Sequence, residues 1–317
     1  MKILQVTSPT SYEIQDVPTP TPGSGQVLMR VEAVTTCPQW DLHLRHNEPM
    51  FVGHRFEYPY TPGQPGHEAC GTIEAAGEGV TGLAPGDRVC AWRDAGHQFA
   101  GCYAQFVVHE ADHVIPVPDG PPPEALASLE LAMCVGTVFR MLRDMDMVSG
   151  RRFGVTGLGP AGLVAAQMAK AEGAAEVVGF DMIPDRRELA LTIGVDASLD
   201  PTTDVGQDFP ALQTSVDCVG AKASVEFLMD RTSHAVALFG VQREMYAFEP
   251  RHYTLKLLGY DGHSRESAEY AVRLIEAGKL DLGPLVTHVL PLERYGDGID
   301  LLETRDAVKV CYKPWES

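Results

Sequence analysis

The sequence predicts a two-domain α/β protein in which a doubly wound parallel sheet with crossover helices is inserted into a β-rich domain. Three features of the chain point there. The first third is built of short apolar or period-two runs between Pro- and Gly-rich turns. From about Pro121 strands alternate with longer helical segments. Three glycines, Gly157, Gly159 and Gly162, stand where one of those strands meets a helix. With 317 residues the chain has room for two cores. The boundaries expected are 1–135 for the β-rich domain, completed by 262–317, and 136–261 for the inserted domain.

In chain order, MKILQV, SYEIQDV, QVLMRVEAV, GTIEAAG and DRVCAW read as strands, separated by PTPTPGSG, PGQPG and APGD. EALASLELAMCVGTVFRMLRDM then has helical spacing, with Leu126, Leu129, Met133, Val138 and Met141 able to share faces. RRFGVTGLG is a strand entering a turn, PAGLVAAQMAKAEG a small-residue helix, AEVVGFD a strand and PDRRELALTIG a helix. SVDCVG and HAVALFG are further strands. In the tail, SAEYAVRLIEAGKL is an amphipathic helix closed by Gly278, and LVTHVLPLERYGDGIDLLETRDAVKVCYKP reads as strand, helix, strand.

Charge narrows the function classes. The 25 Lys and Arg against 43 Asp and Glu leave a net −18, a surface that repels nucleic-acid phosphates and anionic lipid, so neither is an expected partner. The 7 cysteines are odd in number and scattered without CxxC pairing, which argues against a disulfide framework and for a reducing, cytoplasmic setting. No signal peptide and no apolar run of membrane-spanning length are read from the chain.

The glycines in VTGLGPAGL form GxGxxG. Gly157 allows the tight turn, Gly159 lets backbone approach a pyrophosphate, and Gly162 lets helix pack on strand. Pro160 and Ala161 open the helix whose N-terminal N–H groups and partial positive charge suit phosphate. Asp181 ends the next strand, where a carboxylate binds the adenosine ribose hydroxyls and repels a 2′-phosphate. NAD is therefore expected over NADP, with Arg186 and Arg187 close enough in sequence to soften the preference. At the ends of later strands, Cys218 and Val219 with Gly220, and Phe239 and Gly240 with Val241, are expected near the nicotinamide.

Upstream, His67 and Glu68 lie in PGQPGHEACG and Cys37 in TTCPQWDLH. The ordered set GHExxGxxxxxGxGVxxxxxGDRV, then GxGxxG and an acid, then AVRLIEAGKLDLGPLVTHVLPL and KVCYKP, resembles the zinc-dependent medium-chain alcohol and polyol dehydrogenases over essentially the whole chain. That resemblance implies a GroES-like catalytic domain with a Rossmann domain inserted into it. It also implies one catalytic zinc held by Cys37 and His67, with Glu68 coordinating or standing beside them, and a remaining ligand from LELAMCVGT. There Cys134 and Glu130 are both available, four residues apart on one helical face; distance back from Gly157 favours Cys134, with Glu130 the alternate. Mixed S, N and O donors with an open position suit a catalytic rather than a structural zinc.

The chain departs from that pattern in two places. Three residues, not two, separate Cys37 from Asp41, and Trp40 stands where the family keeps a Ser or Thr that relays the alcohol proton. His43 still matches the outer relay histidine. The segment GDRVCAWRDAGHQFAGCYAQFVV holds only Cys90 and Cys102, and relative to the family the structural-zinc lobe of many members is shortened. The function expected is hydride transfer between an alcohol, polyol or sugar-derived hydroxyl and NAD. The alternatives are a zinc-free NADPH-dependent quinone or enoyl reductase, and a noncatalytic nucleotide-binding sensor. The resemblance also implies a homodimer or homotetramer, with HAVALFGV expected to extend a sheet between subunits, and Lys309 is expected to be exposed or to approach the pyrophosphate.

Overall fold

A computed structural model of the chain describes residues 1–93, 95–206 and 208–316. Two compact units result, one from Met1–Leu131 together with the segment from Leu282 to the C-terminus, the other Ala132–Asp281. The return to the first unit thus falls at 282 rather than 262.

The first unit holds β1 (Lys2–Ser8), β2 (Ser11–Asp16), β3 (Gln26–Thr35), α1 (Pro38–His46), β4 (Glu68–Ala76), β5 (Arg88–Ala91), β6 (Phe106–Glu110) and β7 (Val114–Pro116). From the tail come β14 (Val286–Pro291), α7 (Tyr295–Glu303) and β15 (Lys309–Lys313). β1 and β2 form a hairpin, and the main sheet runs β14-β15-β3-β4-β5-β7 with β6 also paired to β3. β3 is central because it is apolar nearly throughout: Val27, Met29, Val31 and Val34 are fully buried and join Leu4, Ile73, Val107 and Val310 in one core. Helix α1 is not legible in TTCPQWDLH. It is set by Pro38 at its first turn and by Cys37 as extended N-cap residue, with Asn47 in the left-handed region at its end.

Helix α2 (Leu129–Asp144) begins in the first unit, with Leu129, Glu130 and Leu131, and continues in the second, which also carries β8 (Arg152–Thr156), α3 (Pro160–Ala171), β9 (Glu176–Phe180), α4 (Pro184–Thr192), β10 (Ala197–Leu199), β11 (Leu212–Asp217), α5 (Lys222–Arg231), β12 (Thr232–Leu238), β13 (Lys256–Leu258) and α6 (Arg265–Glu276). Its sheet is wholly parallel in the order β10-β9-β8-β11-β12-β13, the doubly wound arrangement whose strand order reverses between β8 and β11. Strands buried on both faces read as continuous apolar runs, as EVVGF and HAVAL do. α6 belongs here: Gln167 and Asp281 exchange two hydrogen bonds (2.9 and 2.8 Å), and Arg140 donates to Ser264 and Ser267.

Two expectations need correction. HAVALFGV cannot extend a sheet between subunits, because β12 is paired on both sides, to β11 and β13; among the described residues the edges of this sheet are β10 and β13. Among the described residues one stretch, Pro123–Asp144, is also long and apolar enough to cross a membrane by length and composition, but 78% of its most apolar window is buried, as in a core helix.

A candidate metal centre and a glycine turn

In the first unit the N-cap of α1 and the start of β4 bring Cys37, His67 and Glu68 together. Their ligand atoms all lie within 4.8 Å of one another. His67 Nδ1–H donates to the Pro65 carbonyl at 2.7 Å, which fixes the ring and leaves Nε2 as the donor atom for a metal. Nε2 faces Glu130 Oε2 at 3.9 Å. Burial pushes the His67 pKa down, but its hydrogen bond and charge interaction with Cys37 and the nearby Glu130 and Glu68 carboxyls outweigh that and raise it well above the usual value. The thiol, imidazole and carboxyl donors of the cluster fit a zinc ion.

Two buried groups support the cluster, and neither role is legible in the sequence. Lys309, expected to be exposed or near phosphate, is instead completely buried. Its Nζ donates to both Glu68 oxygens and to the Thr36 carbonyl, each at 2.6 Å. Thr35 adds a hydroxyl to Glu68 at 3.3 Å. Glu68 is thereby held by a neutralising partner while remaining beside Cys37 and His67. Asp41, one turn into α1, accepts the Cys37 N–H at 2.8 Å and the hydroxyls of Tyr103 (3.0 and 3.1 Å) and Tyr295 (2.9 Å). Burial pushes its pKa up to about 6, with those hydrogen bonds pulling the other way.

Trp40 packs into an aromatic cluster. Its indole stacks on His97 at 3.7 Å between centroids and meets His54 and Phe56 edge-on, while His97 lies 6.4 Å from the His67 ring. The residue in the relay position is therefore part of a fixed aromatic wall and offers no hydroxyl. His43 Nδ1–H donates to the Glu48 carbonyl at 3.1 Å. Burial and neighbouring His43 lower the His54 pKa.

In the second unit Gly157 adopts φ +79, and a Cβ on Gly162 would lie 1.8 Å from the Gly157 carbonyl oxygen, so the turn admits no side chain there. Gly159 caps α3 in extended backbone, with Pro160 and Ala161 opening the helix. Asp181 is buried at the end of β9, accepting Leu158 N–H (2.7 Å) and Ile183 N–H (2.8 Å). Arg186 Nη1 stands 3.9 Å from it, and Arg187 donates to its carbonyl at 2.8 Å. Val219 abuts Gly157, and Phe239 meets Tyr260 edge-on, whose hydroxyl donates to the Cys134 Sγ at 3.1 Å. Burial, reinforced by Asp217, pushes the Cys218 thiol up, so it is no thiolate nucleophile.

The order of these sites along the chain matches two family models. Residues 23–119 match the alcohol dehydrogenase GroES-like domain, and residues 160–275 match the zinc-binding dehydrogenase family. The chain belongs to the zinc-type medium-chain dehydrogenase/reductase superfamily. An alcohol dehydrogenase of Geobacillus stearothermophilus is 28% identical over 323 residues, covering 91% of each protein. A sorbitol dehydrogenase of Macaca fascicularis is 27% identical, covering 98% of this chain and 95% of its own. Among solved structures, 2R,3R-butanediol dehydrogenase of Bacillus subtilis superposes with a TM-score of 0.85 at 19% identity over 99% of both chains. The GroES-like and Rossmann-type architecture expected from the sequence is thus the one observed.

Proposed function

We propose that the protein is a zinc-dependent, NAD-linked alcohol or polyol dehydrogenase. The observation that supports this most directly is the convergence of Cys37, His67 and Glu68 within 4.8 Å in a chain that also carries the glycine turn and Asp181. Bound zinc would supply Lewis-acid activation of a hydroxyl or carbonyl oxygen, and the nicotinamide would accept or return the hydride. Cys37 and the Nε2 of His67 would hold the ion, with Glu68, tethered by Lys309, as the adjacent carboxylate. For the remaining ligand, the 3.9 Å approach of Glu130 to His67 supports Glu130, while Cys134 is the assignment that distance from the glycine turn suggests. His43 Nε2 takes the alcohol proton, without the intervening hydroxyl that Trp40 replaces. Asp181 selects NAD, with Arg186 alongside tempering its repulsion of a 2′-phosphate. The relatives named for alcohols and sorbitol support a small hydroxyl-bearing substrate. A homodimer or homotetramer in the cytoplasm completes the proposal, with β13 as an edge onto which a second sheet can add.

The test joins metal content to turnover. Metal analysis is expected to give about one zinc per chain, lost in Cys37→Ser and His67→Ala. Glu130→Gln and Cys134→Ser decide the remaining ligand by which of them lowers zinc affinity. A panel of alcohols and polyols is expected to produce NADH. A zinc-free protein that reduces quinones or enoyl substrates with NADPH would overturn the assignment in favour of a reductase. Tight NAD binding with no turnover on any alcohol would overturn it in favour of a sensor.

A further inference from the structure

Asp217 ends β11 completely buried, and its two carboxyl oxygens gather four donors. Thr156 Oγ1 (2.9 Å) and Ser224 Oγ (2.6 Å) donate to Oδ1; Gly220 N–H (2.8 Å) and Gln242 Nε2 (3.3 Å) donate to Oδ2. Its carbonyl accepts the N–H groups of Phe239 (2.9 Å) and Gly240 (2.8 Å). One residue therefore ties the end of β8, the turn after β11, the start of α5 and the turn after β12 into a single ledge. The two turns are in backbone contact: Gly220 has φ +82, and a Cβ on it would lie 2.3 Å from the Val241 carbonyl oxygen.

Gln242 completes the ledge in an unbalanced way. Its Nε2 has two acceptors, Asp217 Oδ2 and the Gly240 carbonyl at 2.7 Å, so the amide orientation is settled by its neighbours. Its Oε1 is consequently the atom left over: buried, and without a hydrogen-bond partner among the described residues. A carbonyl oxygen shut away from water costs free energy until a donor reaches it. Gln242 follows Phe239, Gly240 and Val241 on the turn after β12, which the cofactor reading assigns to the nicotinamide, whose carboxamide is the part of the dinucleotide head that offers N–H.

We propose that Gln242, oriented by Asp217, accepts a hydrogen bond from the nicotinamide carboxamide, with Asp217 acting as its positioning residue. The proposal rests on the reading of the second unit as a dinucleotide site.

Binding of three probes to the full-length protein tests it: NADH, the reduced 3-acetylpyridine analogue in which a methyl group replaces the carboxamide NH2, and ADP-ribose, which lacks the nicotinamide. In Gln242→Leu, NADH affinity is expected to fall roughly tenfold, the loss of one hydrogen bond to a buried acceptor, while the acetylpyridine analogue and ADP-ribose bind as to the unaltered protein. Asp217→Ala is expected to follow the same pattern. Asp217→Asn is expected to restore NADH binding, because its Nδ2 can donate to the Thr156 and Ser224 hydroxyls while its Oδ1 keeps the Gly220 N–H and Gln242. Equal weakening of all three probes, or unchanged NADH binding, in Gln242→Leu overturns the proposal. Failure of the unaltered protein to bind either NADH or ADP-ribose overturns the dinucleotide reading instead.

Discussion

Replacing Lys309 with Met is expected to destabilise the catalytic unit far more than loss of a surface lysine would. Lys309 and Glu68 are both buried, and the ammonium spends its three N–H groups on the two Glu68 oxygens and the Thr36 carbonyl. A methionine side chain would fill most of the volume but leave the Glu68 carboxylate inside the protein without its ammonium partner, the Thr35 hydroxyl at 3.3 Å being its remaining hydrogen bond among the described residues. Breaking a buried pair by removing one partner costs about 3–5 kcal/mol, chiefly because the other charge is stranded. With a urea m-value of roughly 2–3 kcal/mol/M, the midpoint should fall by roughly 1–2 M. The assay is equilibrium urea unfolding of metal-stripped protein, followed by a probe in the first unit, for Lys309→Met, Glu68→Gln and the double variant. The double variant removes both charges, so it should regain most of the lost stability and give a coupling of at least about 2 kcal/mol. A Lys309→Met midpoint within experimental error of the unaltered protein, or additive effects in the cycle, would refute the buried-pair account. A loss confined to Lys309→Met but not relieved in the double variant would mean that Lys309 matters through Thr36 and packing instead.

Asp41 carries a pH dependence of its own. Its folded-state pKa is raised to about 6 from the ordinary 3.8, so the folded protein holds a proton that the unfolded chain releases. Its contribution is favourable below the unfolded value and is lost as pH rises from about 4 to 6, a gap worth roughly 3 kcal/mol in metal-free protein. Asp41→Asn should remove that part of the urea-midpoint profile, and an unchanged profile would sink the idea. Gly162→Ala should abolish NADH binding, since the added Cβ would lie 1.8 Å from a backbone oxygen; a dissociation constant within twofold of the original would contradict the turn's role. Asp181→Asn should raise kcat/KM for NADP relative to NAD by about tenfold, leaving Arg186 to face the 2′-phosphate without the acid. An unmoved ratio would remove Asp181 from cofactor selection.

What can be seen in the sequence, and what cannot, divides by distance along the chain. The glycine turn and the His67–Glu68 pair are local: their spacing alone prescribes a strand, a turn and a helix, or two adjacent donors at a strand start. The partners that make them work are far away. Glu68 and Lys309 are 241 residues apart, and Asp41 and Tyr295 are 254 apart. A lysine in AVKVCY is indistinguishable from a surface lysine until β15 is laid against β3. The same holds for HAVALFGV, where apolar composition is common to an exposed edge and an interior strand, and only the pairing of β13 decides that β12 is interior. Helix α1 escapes a reading of the sequence because the chain around Cys37 has no apolar periodicity; Pro38 and the Asp41 hydrogen bond to Cys37 set it, a short-range device that carries no hydrophobic signature. Asp217 sits in plain view in VDCVG, yet nothing in five residues tells a buried acceptor of four hydrogen bonds from an acid at a strand end. Donor atoms can thus be nominated from spacing, but the groups that set their charge and orientation become visible only once distant strands are in register.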